Sequence, residues 1–220
     1  MPAMTQRSSR PRRRRHGTGG APRQPRHGRL RIIGGDFRRR LLPVLDSPGL
    51  RPTPDRVRET LFNWLTAATP GARALDLFAG TGALGLEALS RGARQACFVE
   101  HDGRVAAALA DNLATLGAAD RARVVTADAR AFLAGEPTPF SLVFLDPPFR
   151  QELATPCCAA LEGGWLTEDA FIYLETESEL APCVPTTWVL HREVRAGDST
   201  GRLYHRRGGS AAGSPDSDAC

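Results

Sequence analysis

The middle of the chain alternates short apolar runs with amphipathic stretches. The apolar runs near Ala74–Phe78, Ala96–Glu100, Arg123–Thr126 and Leu142–Leu145 read as buried strands. Helical patterns fall near Ala83–Ser90, Arg104–Leu116 and Gln151–Leu161. Such alternation predicts a parallel α/β sheet with helices on both faces. The end of the chain changes character. Phe171–Glu175, Trp188–Val194 and Arg202–Arg206 read as strands with little helix among them, the last two joined as an antiparallel pair through the Gly197–Gly201 turn. Ahead of the alternating region, Leu30–Ile33 and Phe37–Leu42 flank Gly34-Gly35-Asp36 and predict a hairpin. Arg38, Arg39 and Arg40 then stand on its second strand. A helix is expected to open at Thr53-Pro54-Asp55, with Thr53 as cap, Pro54 in the first position and Asp55 against the dipole.

The 220 residues leave room for one domain between two tails. Residues 1–28 are Arg-rich and low in complexity, so a disordered tail is expected there, and another over 208–220. The domain spans 29–207, with the hairpin and helix over 29–70 and the catalytic sheet over 71–207. Net charge is +5, and all 29 basic residues are Arg. Codon composition accounts for the choice of Arg over Lys, but not for where the charge sits. No run approaches the roughly 20 apolar residues of a membrane span. No apolar segment of a secretory signal follows the Arg-rich start. The expectation is a cytoplasmic protein with no membrane partner. Cys97, Cys157, Cys158, Cys183 and Cys220 form no C-x-x-C pair and show no zinc spacing, so reduced thiols and no metal are expected.

The segment Asp76-Leu77-Phe78-Ala79-Gly80-Thr81-Gly82-Ala83-Leu84-Gly85 lies where the first central strand meets its helix. Gly80, Gly82 and Gly85 match G-x-G-x-x-G, and Glu100 follows at the end of the next strand. That pattern alone indicates a ribose-bearing cofactor at the carboxyl ends of the strands. Asp76 narrows the choice, because a carboxylate at this turn repels a pyrophosphate. It suits the ammonium of a methionine moiety instead. Glu100 can take both ribose hydroxyls, and Asp128, after the third strand, an adenine amino group. The expected cofactor is S-adenosylmethionine. Its candidate set is Asp76, Phe78, Ala79, Gly80, Gly82, Glu100, Asp128 and the adjoining Ala129.

The fourth strand ends in Asp146-Pro147-Pro148-Phe149. Two prolines remove backbone donors and stiffen the turn, leaving the Pro147 carbonyl as a rigid acceptor. Asp146 is a second acceptor, and Phe149 offers a ring face. An exocyclic amine on a nucleic-acid base has its lone pair delocalised into the ring. Two acceptors gripping its hydrogens can localise that pair toward an electrophilic methyl group, with no enzyme nucleophile. Asp146, Pro147 and Phe149 are the candidate catalytic residues. The target base must be unpaired or flipped to enter such a turn.

Several segments together are specific. They are Arg31-Ile32-Ile33-Gly34-Gly35, Ser47-Pro48-Gly49-Leu50-Arg51-Pro52-Thr53, Asp55 through Leu65, Leu77 through Arg91, Asp146-Pro147-Pro148-Phe149 and the late Arg202-Leu203-Tyr204. With these the chain resembles the bacterial 16S ribosomal RNA guanine-N2 methyltransferases of the RsmD type, from about Leu30 to Arg206. The resemblance implies the seven-stranded class I S-adenosylmethionine-dependent methyltransferase fold, Rossmann-like, with an N-terminal basic hairpin. It implies a guanine of 16S rRNA in the small ribosomal subunit as substrate, guanine 966 in RNA numbering. It also brings Thr53 toward the cofactor and Arg51 toward the target base. Arg31, Arg38, Arg39 and Arg40 join Arg51 as candidate RNA-binding residues, and a monomer is expected. Competing readings are an N6-adenine DNA methyltransferase, a nicotinamide oxidoreductase and a non-catalytic RNA-binding protein. The first usually carries a large extra recognition domain, and the second leaves Asp76, Asp146 and the proline pair without a role. Intact Asp76 and Asp146 speak against the third.

Overall fold

The computed structural model describes residues 28–45 and 53–208. The expected tails, apart from Gly28 and Gly208, and Arg51 lie outside the described residues. The chain opens with two antiparallel strands, β1 (Gly28–Arg31) and β2 (Leu41–Val44). This corrects the expected second strand, Phe37–Leu42. Arg38 and Arg39 lie in a turn and Arg40 just after it, because Ile32 exchanges backbone hydrogen bonds with Arg39 and Arg40 and closes the loop there. Arg39 has a φ of 68°, which no strand accommodates. Helix α1 (Asp55–Trp64) follows, with Pro54 in the N-cap position and no side-chain cap. Thr53 therefore does not cap it. The Thr53 carbonyl instead accepts from Arg58 Nε.

The alternating region forms β3 (Arg73–Asp76), α2 (Ala83–Ser90), β4 (Gln95–Glu100), α3 (Gly103–Thr115) and β5 (Ala122–Thr126). A short α4 (Ala129–Leu133), β6 (Phe140–Leu145), α5 (Ala154–Leu161) and β7 (Leu166–Glu177) come next. α5 starts later than the apolar pattern suggests, because Arg150 and Glu152 both adopt positive φ. A closing hairpin, β8 (Trp188–Ala196) and β9 (Ser199–Arg206), completes a seven-stranded sheet in the order β5-β4-β3-β6-β7-β9-β8. The first five strands in that order are parallel; β9 runs antiparallel to both of its neighbours. Strand order reverses on either side of β3, which opens the sheet for a ligand at the carboxyl ends.

Alternation along β6 shows how the core divides. Leu142 and Phe144 enter one apolar cluster with Leu61, Phe62, Leu86 and Phe98, while Val143 and Leu145 enter another with Cys157, Leu161 and Trp165. The strand is buried on both faces, so its sequence reads as a continuous apolar run. Cys97, Cys157 and Cys158 are buried free thiols. Cys183 is disulfide-bonded, which departs from the expectation of reduced thiols throughout.

Every residue of α2 is buried, because the N-terminal hairpin covers the helix face turned away from the sheet. Glu87, fully buried, organises that cover. It accepts from the amides of Ile33 and Gly34 at 2.9 and 2.8 Å and from Arg91 Nε at 2.8 Å. Arg58, also buried, reaches Glu87, Asp55 and the carbonyls of Thr53 and Arg31. The Gly-Gly pair is thus a docking loop rather than the tip of a free arm. Gly35, at φ 74°, has no space for a side chain, since a Cβ would lie 1.8 Å from the Ser90 carbonyl oxygen. Replacing Glu87 by Ala leaves Arg58 with Asp55 alone as carboxylate partner and strips the Ile33 and Gly34 amides of their acceptor, so a loss of ~3–5 kcal/mol in the unfolding free energy, read from urea titration, is expected.

Candidate active site

Parallel pairing brings the carboxyl ends of β3, β4, β5, β6 and β7 to one edge of the sheet. Asp76 and Glu100 are the last residues of β3 and β4, Asp146 follows β6 directly, and Asp128 lies just past β5. Four of the sequence-predicted acids therefore meet at one edge, together with the glycine turn and Asp-Pro-Pro-Phe.

Backbone amides hold two of these acids. Asp76 is buried, and its Oδ2 accepts from the Gly85 amide at 2.9 Å. Glu100 accepts from the amides of Gly80 and Asp102, both at 2.8 Å. This ties the cofactor turn to the end of β4, and Ala79 N adds a bond to the Val99 carbonyl at 2.9 Å. Gly80 and Gly82 have φ values of 50° and 76°. At Gly82 a Cβ would sit 2.4 Å from Leu109 Cδ1, so the turn passes close under α3. Burial first, and the nearby Glu100 charge after it, push the Asp76 carboxyl up to about 7 against the pull of the Gly85 amide.

Asp128 is exposed and caps α4, its Oδ1 accepting from Arg130 N and Ala131 N at 2.9 and 3.1 Å. Oδ2 makes no hydrogen bond among the described residues. Ala129 is buried in the first position of α4, and Phe78 packs partly into the second apolar cluster. Asp146 makes no hydrogen bond among the described residues, and the Pro147 carbonyl accepts none. Phe149 is 43% exposed, unusual for a large apolar side chain. Burial, then Glu175 and then Asp76 raise the proton affinity of Asp146 well above that of an ordinary carboxyl.

Glu175 on β7 escaped the sequence reading. It is buried and accepts from the Tyr173 hydroxyl at 2.9 Å and the Ser199 hydroxyl at 2.8 Å. A signal was present: an acid at the end of an apolar strand, the pattern that identified Asp76 and Glu100.

The predicted RNA-binding arginines divide. Arg31 is exposed but ion-paired to Asp55 at 2.8 Å. Arg38, Arg39 and Arg40 are exposed at the opposite, amino-terminal edge of the sheet. There Asp36 N and Phe37 N bond Ser90 at the end of α2, and Arg40 reaches the Thr115 carbonyl at the end of α3. A cavity of about 780 Å³ is at that same far edge, lined by Arg73, Gln95, Arg123, Phe140 and Trp165. It forms because the five-residue α4 leaves the amino-terminal half of β4 and β5 uncovered. Its lining on β3 and β4 lies three to five residues, about 10–17 Å, from Asp76 and Glu100. A much smaller cavity touches Gly80 and Thr81 under Val44 and Leu109.

Bound at the acid-lined edge, S-adenosylmethionine carries a sulfonium and an ammonium that uncompensated carboxylates match, and the glycine turn admits its ribose beside Glu100. The residues fit the group. Fold and site define a class I S-adenosylmethionine-dependent methyltransferase. The chain belongs to the family of ribosomal RNA small subunit methyltransferase D, described as Conserved hypothetical protein 95, whose model matches residues 30–205.

The Escherichia coli K12 protein named "Ribosomal RNA small subunit methyltransferase D" is 54% identical over 200 residues, covering 89% of this chain and 99% of its own. The Bacillus subtilis "Putative rRNA methyltransferase YlbH" is 35% identical over 81% of this chain and all of its own. Among solved structures, "Putative methyltransferase yhhF" from Escherichia coli superposes with a TM-score of 0.77 at 52% identity, covering 82% of this chain and 99% of that one.

Asp76 yields a stability prediction. Its carboxyl sits near pH 7 when folded and near the ordinary ~3.9 when unfolded. A raised acid destabilises the fold progressively as pH rises between those values, by up to ~1.4 kcal/mol per pH unit. Ligand-free Asp76→Asn lacks this penalty. Its unfolding midpoint is expected to pull above wild type from pH 4 to pH 7 and stay level above that, while cofactor affinity falls.

Proposed function

We propose that the chain methylates the exocyclic N2 of a guanine in 16S rRNA of the small ribosomal subunit, guanine 966 in RNA numbering, acting as a cytoplasmic monomer. Ribosomal RNA methylation itself follows from the relatives that share the whole domain. The observation that carries the finer reading is the Asp-Pro-Pro-Phe turn. An acid and a carbonyl with no hydrogen bond among the described residues and an exposed ring stand together beside the acid-lined edge.

S-adenosylmethionine supplies a sulfonium-activated methyl group when bound. Asp76, Glu100 and Asp128 hold its amino-acid, ribose and adenine parts, with Phe78, Ala79, Gly80, Gly82, Thr53 and Ala129 shaping the cradle. Asp146 and the Pro147 carbonyl accept the two N2 hydrogens of a flipped-out guanine and turn the nitrogen lone pair toward the methyl carbon. Phe149 stacks on the base. Positioning and charge supply the acceleration, since the displacement needs no enzyme nucleophile. Arg38, Arg39 and Arg40, at the far edge, suit a more distant RNA segment than the target base; a substrate as large as a ribosomal subunit can span both ends.

The deciding experiment measures methyl transfer to unmodified small subunits, naked RNA and duplex DNA, followed by nucleoside analysis. N2-methylguanosine from the subunits is the expected product; N6-methyladenine from DNA would move the chain to the adenine-specific class. Asp146→Ala is expected to abolish turnover while retaining cofactor binding. Phe149→Ala should raise KM for RNA roughly 5- to 160-fold, the equivalent of a lost stacking contact of about 1–3 kcal/mol. Replacing Arg38, Arg39 and Arg40 by Gln should flatten the slope of log affinity against log salt by up to about 0.9 per lost phosphate contact on duplex RNA, less on single strands. An unchanged slope would remove them from the RNA surface.

A further inference from the structure

We infer that Glu175 is a positioning residue for methyl transfer: its carboxylate, held by two hydroxyl donors, makes the neighbouring Asp146 the acceptor of the proton that the methylated amine releases. The inference rests on the reading of Asp146 as the group that grips the amine.

Strand register supplies the juxtaposition. Leu145 of β6 pairs with Leu174 of β7, so residues 146 and 175 follow side by side on parallel strands about 4.8 Å apart. Two neighbouring carboxyls in a buried setting do not both ionise easily. Their surroundings differ. Glu175 receives hydroxyl hydrogens on both oxygens, from Tyr173 and Ser199. Tyr173 stays a donor, because burial and the adjacent Glu175 push its own ionisation far above neutrality. Gly201 on β9, opposite Glu175, makes room for this arrangement: a Cβ there would lie 2.1 Å from the Tyr173 hydroxyl oxygen. Asp146 has no comparable donors among the described residues.

The other charged groups do not offset the pair. Asp76 from β3 adds a third negative centre, and Glu100 from β4 lies beyond it. Glu177 from β7 accepts from the Arg150 amide. Arg202 from β9 bonds Thr176 and pairs with Glu193. Among the described residues, no guanidinium or imidazole bonds Asp146 or Glu175. Burial and the Glu175 charge therefore act together to strengthen Asp146 as a base.

The chemistry balances. The N2 lone pair forms the bond to the methyl carbon while the carbon–sulfur bond breaks and its pair stays on sulfur. The nitrogen becomes cationic and sheds one hydrogen as a proton to the Asp146 carboxylate. Thioether, amine and carboxylic acid are then all neutral. The proton stays on Asp146 until it passes to solvent.

The test is the pH dependence of single-turnover methyl transfer to unmodified subunits, with full-length wild type, Glu175→Gln, Glu175→Asp and Asp146→Asn, alongside cofactor affinity. Removing the Glu175 charge weakens Asp146 as a base, so the acid limb of Glu175→Gln is expected about one pH unit lower, with a several-fold lower plateau. Cofactor affinity should stay within about twofold. Glu175→Asp, with its charge one methylene farther off, should fall between, and serves alone if Glu175→Gln does not fold. Acid limbs of the Glu175 variants that superimpose on wild type, with Asp146→Asn inactive, would overturn this role for Glu175 and leave Asp146 in place. Full activity of Asp146→Asn would overturn the reading of Asp146 and this inference with it.

Discussion

Acids gathered without buried cations are the constraint on which the active edge depends. Asp76, Glu100, Asp146 and Glu175 end or nearly end four adjacent parallel strands, and parallel pairing leaves them nowhere else to go. The protein makes this tolerable with neutral donors. Amides of Gly80, Gly85 and Asp102 and hydroxyls of Tyr173 and Ser199 serve three of the four. The result is an edge that is costly when empty and matched by a cationic cofactor, so part of the folding free energy is held in reserve for binding.

The glycine turn belongs to the same arrangement. Its amides bind Asp76 and Glu100, so the shape of the turn is set by the acids at the ends of β3 and β4. The helix that leaves the turn is in turn clamped from outside by Glu87, Arg58 and the N-terminal hairpin. A buried ion pair of this kind contributes little net stability but defines one arrangement of its neighbours. Here it joins the hairpin, the start of α1 and the cofactor helix into one body. The exposed arginines after β1 are carried to the far edge of the sheet, away from the acids by about a strand length.

Much of the fold was legible because apolar periodicity and strand-end glycines are local signals. The four central strands, the antiparallel closing pair and the turn after β3 all appear where the pattern places them. The hairpin was legible as a hairpin but not in register. Its second strand is chosen by Glu87 and Ser90, more than fifty residues away, which take the amides of Ile33, Gly34 and Phe37. Thr53 failed as a cap for a similar reason, since Arg58 draws its carbonyl into the Glu87 network. Asp128 does cap a helix, one too short for periodicity to reveal.

By itself the sequence determined the alternating architecture, the cofactor turn, the Asp-Pro-Pro-Phe turn and the family. Each is written in contiguous residues whose spacing matches a strand, a turn or a helix. Tertiary structure alone decided which acids stand side by side, which arginines lie at the far edge of the sheet and which glycines have no space for a side chain. Those outcomes depend on strand order and on contacts between distant segments. Glu175 shows the difference most plainly: in sequence it is one acid among several near the end of a strand, and only the pairing of β6 with β7 sets it beside Asp146.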